Sequence, residues 1–189
     1  MTGGNRFDAT GHGTLYFATE LEGCFAETTA RYRLSTKVLA AIQADNEWSR
    51  RGFMPPGAVP ADWRARRLAT RVVLDQRAFF LDVDAPATHT FLNKHLAMEL
   101  SELGVDVLDV GIVRGRDRRI TRLIAKFAFD LTAGDAPSLA GLRYTSRLGP
   151  WECWAVFDRT QFVERERHAI DASMPELTKI ARTFGLKVL

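Results

Sequence analysis

Residues 3–18 read Gly-Gly-Asn-Arg-Phe-Asp-Ala-Thr-Gly-His-Gly-Thr-Leu-Tyr-Phe-Ala. The glycines predict turns, and the β-branched and aromatic residues of segment 14–18 predict a short strand after them. Residues 21–31 follow with a helical pattern in which Phe25 faces inward. The fold therefore begins with a strand followed directly by a helix.

The rest of the chain continues this irregular interleaving of helices and strands. Helices are predicted over residues 36–48, 86–103, 120–131 and 173–185, and strands over 68–74, 78–83, 105–113, 142–145 and 152–157. Asp84 is predicted to cap the second of these helices, a capping-box pattern opens the last one, and residues 51–62 are predicted as a loop. No parallel βαβ series is evident. The sequence predicts one α+β domain over residues 1–189, with central sheets flanked by helices.

Composition narrows the class of protein. The 189 residues are 46% hydrophobic and 26% charged, which is typical of a globular protein and not of a disordered one. No apolar run is long enough for a membrane span, and the start lacks a signal-peptide core, so a cytoplasmic location is expected. The net charge of +3 is too small for a dedicated DNA-binding protein. Cys24 and Cys153 are predicted to be two buried thiols.

Arg6 and Tyr16 are candidates for binding a charged nucleotide. The turn before Arg6 would let its guanidinium point into a cleft, where the planar fork suits bidentate contact with phosphate. If Leu15 and Phe17 face the core, Tyr16 faces a groove, and its ring could stack on a flat cationic heterocycle such as nicotinamide. The alternatives are an exposed terminal arginine and a half-buried tyrosine that packs a sheet.

Glu27 and Ser146 supply an acid and an alcohol. A carboxylate beside a ribose can bond a 2′-hydroxyl and stabilise positive charge at the anomeric carbon during glycosyl transfer. Ser146 lacks the Gly-x-Ser-x-Gly setting of a nucleophile, so we expect it to bind substrate through a hydrogen bond. The alternatives are a surface glutamate on a helix and a hydroxyl that caps a strand end.

The histidines and a cluster of arginines are the other candidates for a functional site. His89 and His95 are six positions apart and would not share a helix face as metal ligands, so no metal site is predicted. A basic cluster comprises Arg114, Arg116, Arg118, Arg119 and Arg122. We interpret it as a solvated loop and helix start, with nucleic-acid or acidic-partner binding as the alternative.

Taken together, the segments Gly4-Asn5-Arg6-Phe7, Leu15-Tyr16-Phe17-Ala18, Ala26-Glu27, 141–147 and 153–157 resemble the RES domain family. The resemblance implies an ADP-ribosyltransferase-like fold and an NAD-degrading toxin of a toxin–antitoxin pair, acting as an NAD phosphorylase or glycohydrolase. It implies that Arg6 binds the phosphates of NAD, Tyr16 stacks on the nicotinamide, Glu27 stabilises the transition state and Ser146 fixes nicotinamide or its ribose. Arg6, Glu27 and Ser146 would thus form the catalytic set.

The resemblance also implies partners. NAD would be the substrate, inorganic phosphate a potential co-substrate, and a helix-turn-helix antitoxin the partner protein, with nucleic acid contacted only through that antitoxin. A homo-oligomer is compatible with the sequence, and no membrane is expected. Alternatives are a protein ADP-ribosyltransferase and a catalytically silent binding module. The short segment before Arg6 slightly favours the silent module, since family members generally carry more residues there. Residues 33–67 are predicted as an insertion.

Overall fold

A computed structural model of the chain describes residues 4–44, 54–75, 77–131 and 138–189. The described residues confirm a mixed α+β fold. The helices are α1 (Leu21–Thr29), α2 (Thr36–Ala44), α3 (Ala61–Ala65), α4 (Pro86–His95), α5 (Ala97–Glu102), α6 (Val110–Val113), α7 (Arg118–Asp130) and α8 (Pro175–Phe184), with a 3-10 turn at Ala30–Tyr32. The strands are β1 (Thr14–Ala18), β2 (Ala58–Val59), β3 (Leu68–Leu74), β4 (Phe80–Asp82), β5 (Gly141–Thr145), β6 (Glu152–Phe157), β7 (Phe162–Ala169) and β8 (Lys187–Val188).

The chain forms two compact units. The first comprises Met1–Glu20 and Val72–Val163, and the second comprises Leu21–Arg71 and Glu164–Leu189. Strands β3 and β7 pair as a two-stranded sheet. The assignment of residues 1–189 to one domain stays a prediction.

The first unit is built on a four-stranded sheet in the order β1-β6-β5-β4. β6 is antiparallel to β1 and to β5, whereas β4 and β5 are parallel and are connected through α4, α5, α6 and α7. Gly141 allows β5 and β6 to approach closely, because a Cβ atom at this position would collide with the carbonyl oxygen of Ala155. The sheet is therefore mixed in direction and places the ends of β4 and β5 side by side.

The core of this unit packs helices against the sheet. Ile120, Ile124 and Ala128 recur every four residues along α7 and are buried, as a helical periodicity requires. They lie in one cluster with Leu92 of α4 and Leu142 of β5. Burial of each large aliphatic side chain contributes about 1.5–3 kcal/mol, so this cluster stabilises the packing of the helices on the sheet.

The second unit has its own core. α1 packs against α8, and β2 pairs in parallel with β8. Phe25 of α1 is buried as predicted, and its ring lies 6.4 Å from that of Trp63 in α3. Residues 33–67 contribute buried side chains, including Val59 and Trp63, to this core. The interpretation of that segment as an insertion stays a prediction.

Several predicted elements differ from the structure. Residues 51–62 were expected to form a loop, but Ala58–Val59 is β2 and α3 begins at Ala61. The strand expected over residues 105–113 is wrong, because Val107 is 67% exposed and the segment ends in helix α6. The helix expected over residues 86–103 is interrupted at Leu96, where φ is −117°.

Two predicted helix caps and the end of one predicted helix also differ from the structure. Ala85, not Asp84, is the N-cap of α4, and Met174, not Ser173, is the N-cap of α8. The helix expected over residues 36–48 extends to Ala44, and its last residues lie outside the described ranges. β7 and β8 were not predicted. Among the described residues, none of the helices combines the length and apolarity that a bilayer crossing requires.

Candidate functional site

Arg6 lies in a loop that is held at several points in the first unit. The backbone N–H of Asn5 donates to the Asp8 carboxylate at 2.5 Å, which closes a turn around Arg6. Two side chains of α7 hold the same loop from outside: Thr121 donates to the carbonyl of Arg6 and Arg118 donates to that of Gly4. The predicted turn is therefore present, and it is an anchored one.

Tyr16 fixes this loop to the sheet. Its hydroxyl donates to Asp8 Oδ1 at 2.7 Å and accepts from the N–H of Phe7 at 2.9 Å. Burial, followed by the hydrogen bond and negative charge of Asp8, raises the pKa of the Tyr16 hydroxyl above its usual range, so the phenol stays protonated. Arg122 of α7 forms an ion pair with Asp8, with nitrogen and oxygen 3.8 Å apart.

The facing assumed for Tyr16 is wrong. The alternation along β1 is present, but Leu15 is 46% exposed while Tyr16 packs against the main core of the first unit. Phe17, on the same face as Leu15, contacts the ring of Phe162, with centroids 5.7 Å apart. The structure thus matches the alternative of a half-buried tyrosine that packs a sheet, and a stacking role for Tyr16 stays a prediction.

The Arg6 guanidinium is held by a carbonyl and two aromatic rings. Its Nη2 donates to the carbonyl oxygen of Val113 at 2.6 Å. Its central carbon lies 4.8 Å from the ring centroid of Phe7 and 5.3 Å from that of Tyr144, within the range of cation–π attraction. These contacts fix the plane of the guanidinium, which is only partly exposed.

Ser146 is buried directly after β5. Its N–H donates to the carbonyl of Trp151 at 2.8 Å, and its Oγ accepts from the N–H of Leu148 at 3.0 Å. The preceding residue, Thr145, donates its N–H to Asp84 Oδ2 at 2.7 Å. Ser146 therefore sits at the start of a tightly closed turn between β5 and β6.

Asp84, predicted from the sequence to cap a helix, instead bonds an arginine and a backbone N–H. Its carboxylate accepts two parallel hydrogen bonds from Arg114, Nε to Oδ1 at 3.1 Å and Nη2 to Oδ2 at 3.0 Å. Burial alone would raise the pKa of Asp84, but the bonds from Arg114 and Thr145 outweigh it and hold the pKa below its usual value. Asp84 is therefore an anion at neutral pH.

Glu27 belongs to the second unit. It lies on the exposed side of α1, next to Phe25 and Ala26, which are buried in that unit. The structure brings Arg6 and Tyr16 together through the Phe7–Asp8 segment. It bonds Thr145, the residue before Ser146, to Asp84, which also binds Arg114. That Glu27 joins them at one nucleotide pocket stays a prediction.

A comparison with known protein families identifies the family of this chain. The family model described as "RES domain" matches residues 1–175. The chain belongs to the RES domain family. This family is associated with NAD-acting enzymes, and membership is consistent with an NAD-related toxin domain. No curated protein and no solved structure matches the chain, and likeness to the ADP-ribosyltransferase fold stays a prediction.

Three residues bonded to the Arg6 loop or next to Ser146 are not individual candidates from the sequence: Asp8, Asp84 and Arg114. Asp8 lies two positions after Arg6 in a turn rich in glycine, where an aspartate commonly bonds nearby backbone N–H groups, and that signal could have identified it. The position of Asp84 before α4 predicts a helix cap instead. Arg114 was grouped with the basic cluster.

The basic cluster of this RES domain is largely engaged within the first unit. Arg114 binds Asp84, Arg118 binds the backbone of Gly4, Arg119 pairs with Asp117, and Arg122 pairs with Asp8. Arg116 is exposed. Among the described residues, no group of three His, Cys, Asp or Glu side chains is arranged to hold a metal ion.

Proposed function

We propose that this RES domain protein consumes NAD by cleaving the bond between nicotinamide and ribose, with water or phosphate accepting the ADP-ribosyl group. The observation that carries the proposal is the family match over residues 1–175, a range that includes Arg6, Tyr16, Glu27 and Ser146. The anchoring of Arg6 supports it. A guanidinium whose plane is already fixed loses little side-chain entropy when it binds phosphate.

The proposed chemistry is a glycosyl transfer. The bond between C1′ of the ribose and the nicotinamide nitrogen breaks, and its electron pair leaves with nicotinamide, which becomes neutral. Positive charge develops on the ribose, where the Glu27 carboxylate would stabilise it. Water or phosphate then adds to C1′ and releases a proton. Arg6 would hold the diphosphate, and Ser146 would orient the nicotinamide end.

The test is release of nicotinamide from NAD by purified protein, measured by chromatography with and without phosphate. ADP-ribose as product indicates hydrolysis. ADP-ribose 1″-phosphate, which carries phosphate on the carbon that nicotinamide leaves, indicates phosphorolysis. Glu27→Gln should reduce the rate by a factor of about 100 or more, because it removes charge stabilisation in the transition state. Glu102→Gln, an exposed glutamate on α5, is the matched control and should retain the wild-type rate.

Two results would overturn this proposal. One is the absence of nicotinamide release by folded wild-type protein, and the other is full activity in Glu27→Gln. Radiolabel that is transferred from NAD to a protein band would instead identify a protein ADP-ribosyltransferase. The proposal extends to a helix-turn-helix antitoxin as partner: growth arrest on expression should depend on Glu27 and should be relieved by such a protein.

A further inference from the structure

A continuous series of short contacts connects Arg6 to Ser146 within the first unit. It begins at Val113, the last residue of α6, whose carbonyl accepts the 2.6 Å bond from Arg6. Val113 is fully buried, and the next residue, Arg114, closes the turn with its N–H on the carbonyl of Val110 at 2.9 Å. The backbone that holds Arg6 and the backbone that carries Arg114 are therefore one rigid turn.

The second half of the series runs through Asp84. The Arg114 guanidinium holds both oxygens of this carboxylate, and the Asp84 side chain is only 10% exposed. One of those oxygens also accepts the N–H of Thr145, the residue joined to Ser146 by a peptide bond. The backbone of Asp84 is placed independently, because its N–H donates to Asp82 Oδ1 at 3.0 Å and Val83 donates to the carbonyl of Arg143.

We propose that Asp84 and Arg114 are positioning residues that fix the distance between Arg6 and Ser146. The consequence for catalysis rests on the proposed function, in which these two side chains hold opposite ends of NAD. An ion pair with two parallel hydrogen bonds resists rotation as well as separation, so it suits this task better than a single contact. Neither residue needs to touch the substrate.

The neighbouring ion pairs do not make the same connection. Arg143 binds Asp82 at 2.7 Å and Glu152 at 2.6 Å, and these bonds link β4, β5 and β6 across one sheet. They span adjacent strands that already share backbone pairing. The Asp84–Arg114 pair, in contrast, joins the end of β4 to the turn after α6, which lies outside the sheet.

Steady-state kinetics provide the first test. In Asp84→Asn one acceptor oxygen remains for three donors, Nε and Nη2 of Arg114 and the N–H of Thr145. At least one of the two bonds from Arg114 is therefore lost in either orientation of the amide. We expect kcat/KM for NAD to fall by a factor of about 10–100, the scale of a 1 Å misplacement of substrate-binding groups. Asp75→Asn is the matched control. Asp75 also accepts a backbone hydrogen bond, from the N–H of Arg77 at 2.9 Å, and forms an ion pair with the same arginine. It should stay within about two-fold of wild type.

A double-mutant cycle tests whether Asp84 and Arg114 act as one unit. If Asp84 and Arg114 act as one unit, Asp84→Asn combined with Arg114→Lys should lose no more activity than the worse single variant. Arg114→Lys preserves the charge but not the two parallel bonds, and it serves if Asp84→Asn folds poorly. Additive losses in the cycle, or wild-type kcat/KM in both single variants, would overturn the inference.

Hydrogen exchange of the full chain gives a readout that does not depend on turnover. In Asp84→Asn, protection should fall together in peptides covering residues 5–8 and 144–148, whereas Asp75→Asn should leave both unchanged. Unchanged protection at residues 5–8 would show that the coupling does not reach Arg6, and the inference fails. Wild-type protein that consumes no NAD but shows this coupled exchange would refute the proposed function alone.

Discussion

Replacing Tyr16 by phenylalanine removes one oxygen atom and two hydrogen bonds. The bond to the Asp8 carboxylate is charge-assisted, and bonds of this class contribute about 1.5–3 kcal/mol to stability. The bond from the Phe7 N–H cannot be replaced by the new ring, and an unsatisfied buried donor costs about 1–3 kcal/mol. Part of these terms overlaps, since water can reach the partly exposed Asp8. We expect Tyr16→Phe to lower the free energy of unfolding by about 2–4 kcal/mol.

The assay is urea unfolding at pH 7, followed by tryptophan fluorescence, with the m value compared between variants. Tyr32→Phe is the matched control. None of the described residues hydrogen-bonds the Tyr32 hydroxyl, so this variant should change stability by less than about 0.5 kcal/mol. A loss below about 1 kcal/mol in Tyr16→Phe, with an unchanged m value, would refute the anchoring role. The variant retains an aromatic ring, so it also tests whether NAD turnover needs the ring alone.

Three further predictions concern Tyr16, Asp84 and Gly141. Folding raises the pKa of Tyr16, so its contribution to stability is complete below about pH 10 and declines as the pH rises towards the folded pKa. In alkaline unfolding curves, the free energy of unfolding of wild type should therefore fall more steeply than that of Tyr16→Phe, by up to about 1.4 kcal/mol per pH unit. Folding lowers the pKa of Asp84, so its contribution to stability is present above about pH 4 and is lost as the pH falls through the folded pKa. In urea unfolding, the difference in stability between wild type and Asp84→Asn should therefore shrink below about pH 4. A difference that stays constant with pH would contradict the lowered pKa. Gly141→Ala should lower stability by about 3 kcal/mol or more in the same assay, because its methyl group would collide with the backbone of Ala155, and a near-neutral result would show that β5 and β6 can separate without penalty.

The elements that could be predicted from the sequence are those determined by local pattern. The four-residue spacing of Ile120, Ile124 and Ala128 is sufficient to specify α7. β5 and β6 are apolar runs bounded by turn residues, and they were predicted within one or two positions. The mixed α+β class followed directly from such segments.

The missed elements depend on distant partners. β7 has exposed residues throughout and carries the alternating charges of residues 164–167, so it has no apolar face to recognise. β2 is only two residues long and exists because β8 pairs with it. The segment 105–113 alternates like a strand, but the Asn93 side chain holds both backbone groups of Leu108 and Asp109 caps α6. None of these contacts is visible in a local pattern.

The candidate site shows the same division. Arg6, Tyr16, Glu27 and Ser146 are candidates because their order along the chain resembles a family pattern, and their shared site stays a prediction. The partners that hold Arg6 and Ser146 come from positions far away in sequence, such as Val113 and Asp84. The expectation that Leu15 faces the core is wrong: Leu15 is exposed, and Tyr16 packs against the core with its hydroxyl bonded to Asp8 and the Phe7 N–H, contacts that the local pattern does not reveal.

α7 carries Arg118, Thr121 and Arg122 on one side, and all three hold the loop that contains Arg6. Each residue along an α-helix advances about 100° around its axis. Inserting one residue directly after Arg122 would therefore rotate these three side chains by about 100° relative to the buried Ile124 and Ala128, so they could no longer hold the loop together. Engineering libraries for this protein should accordingly vary residue identity at exposed positions such as Arg119 and leave the length of this helix unaltered.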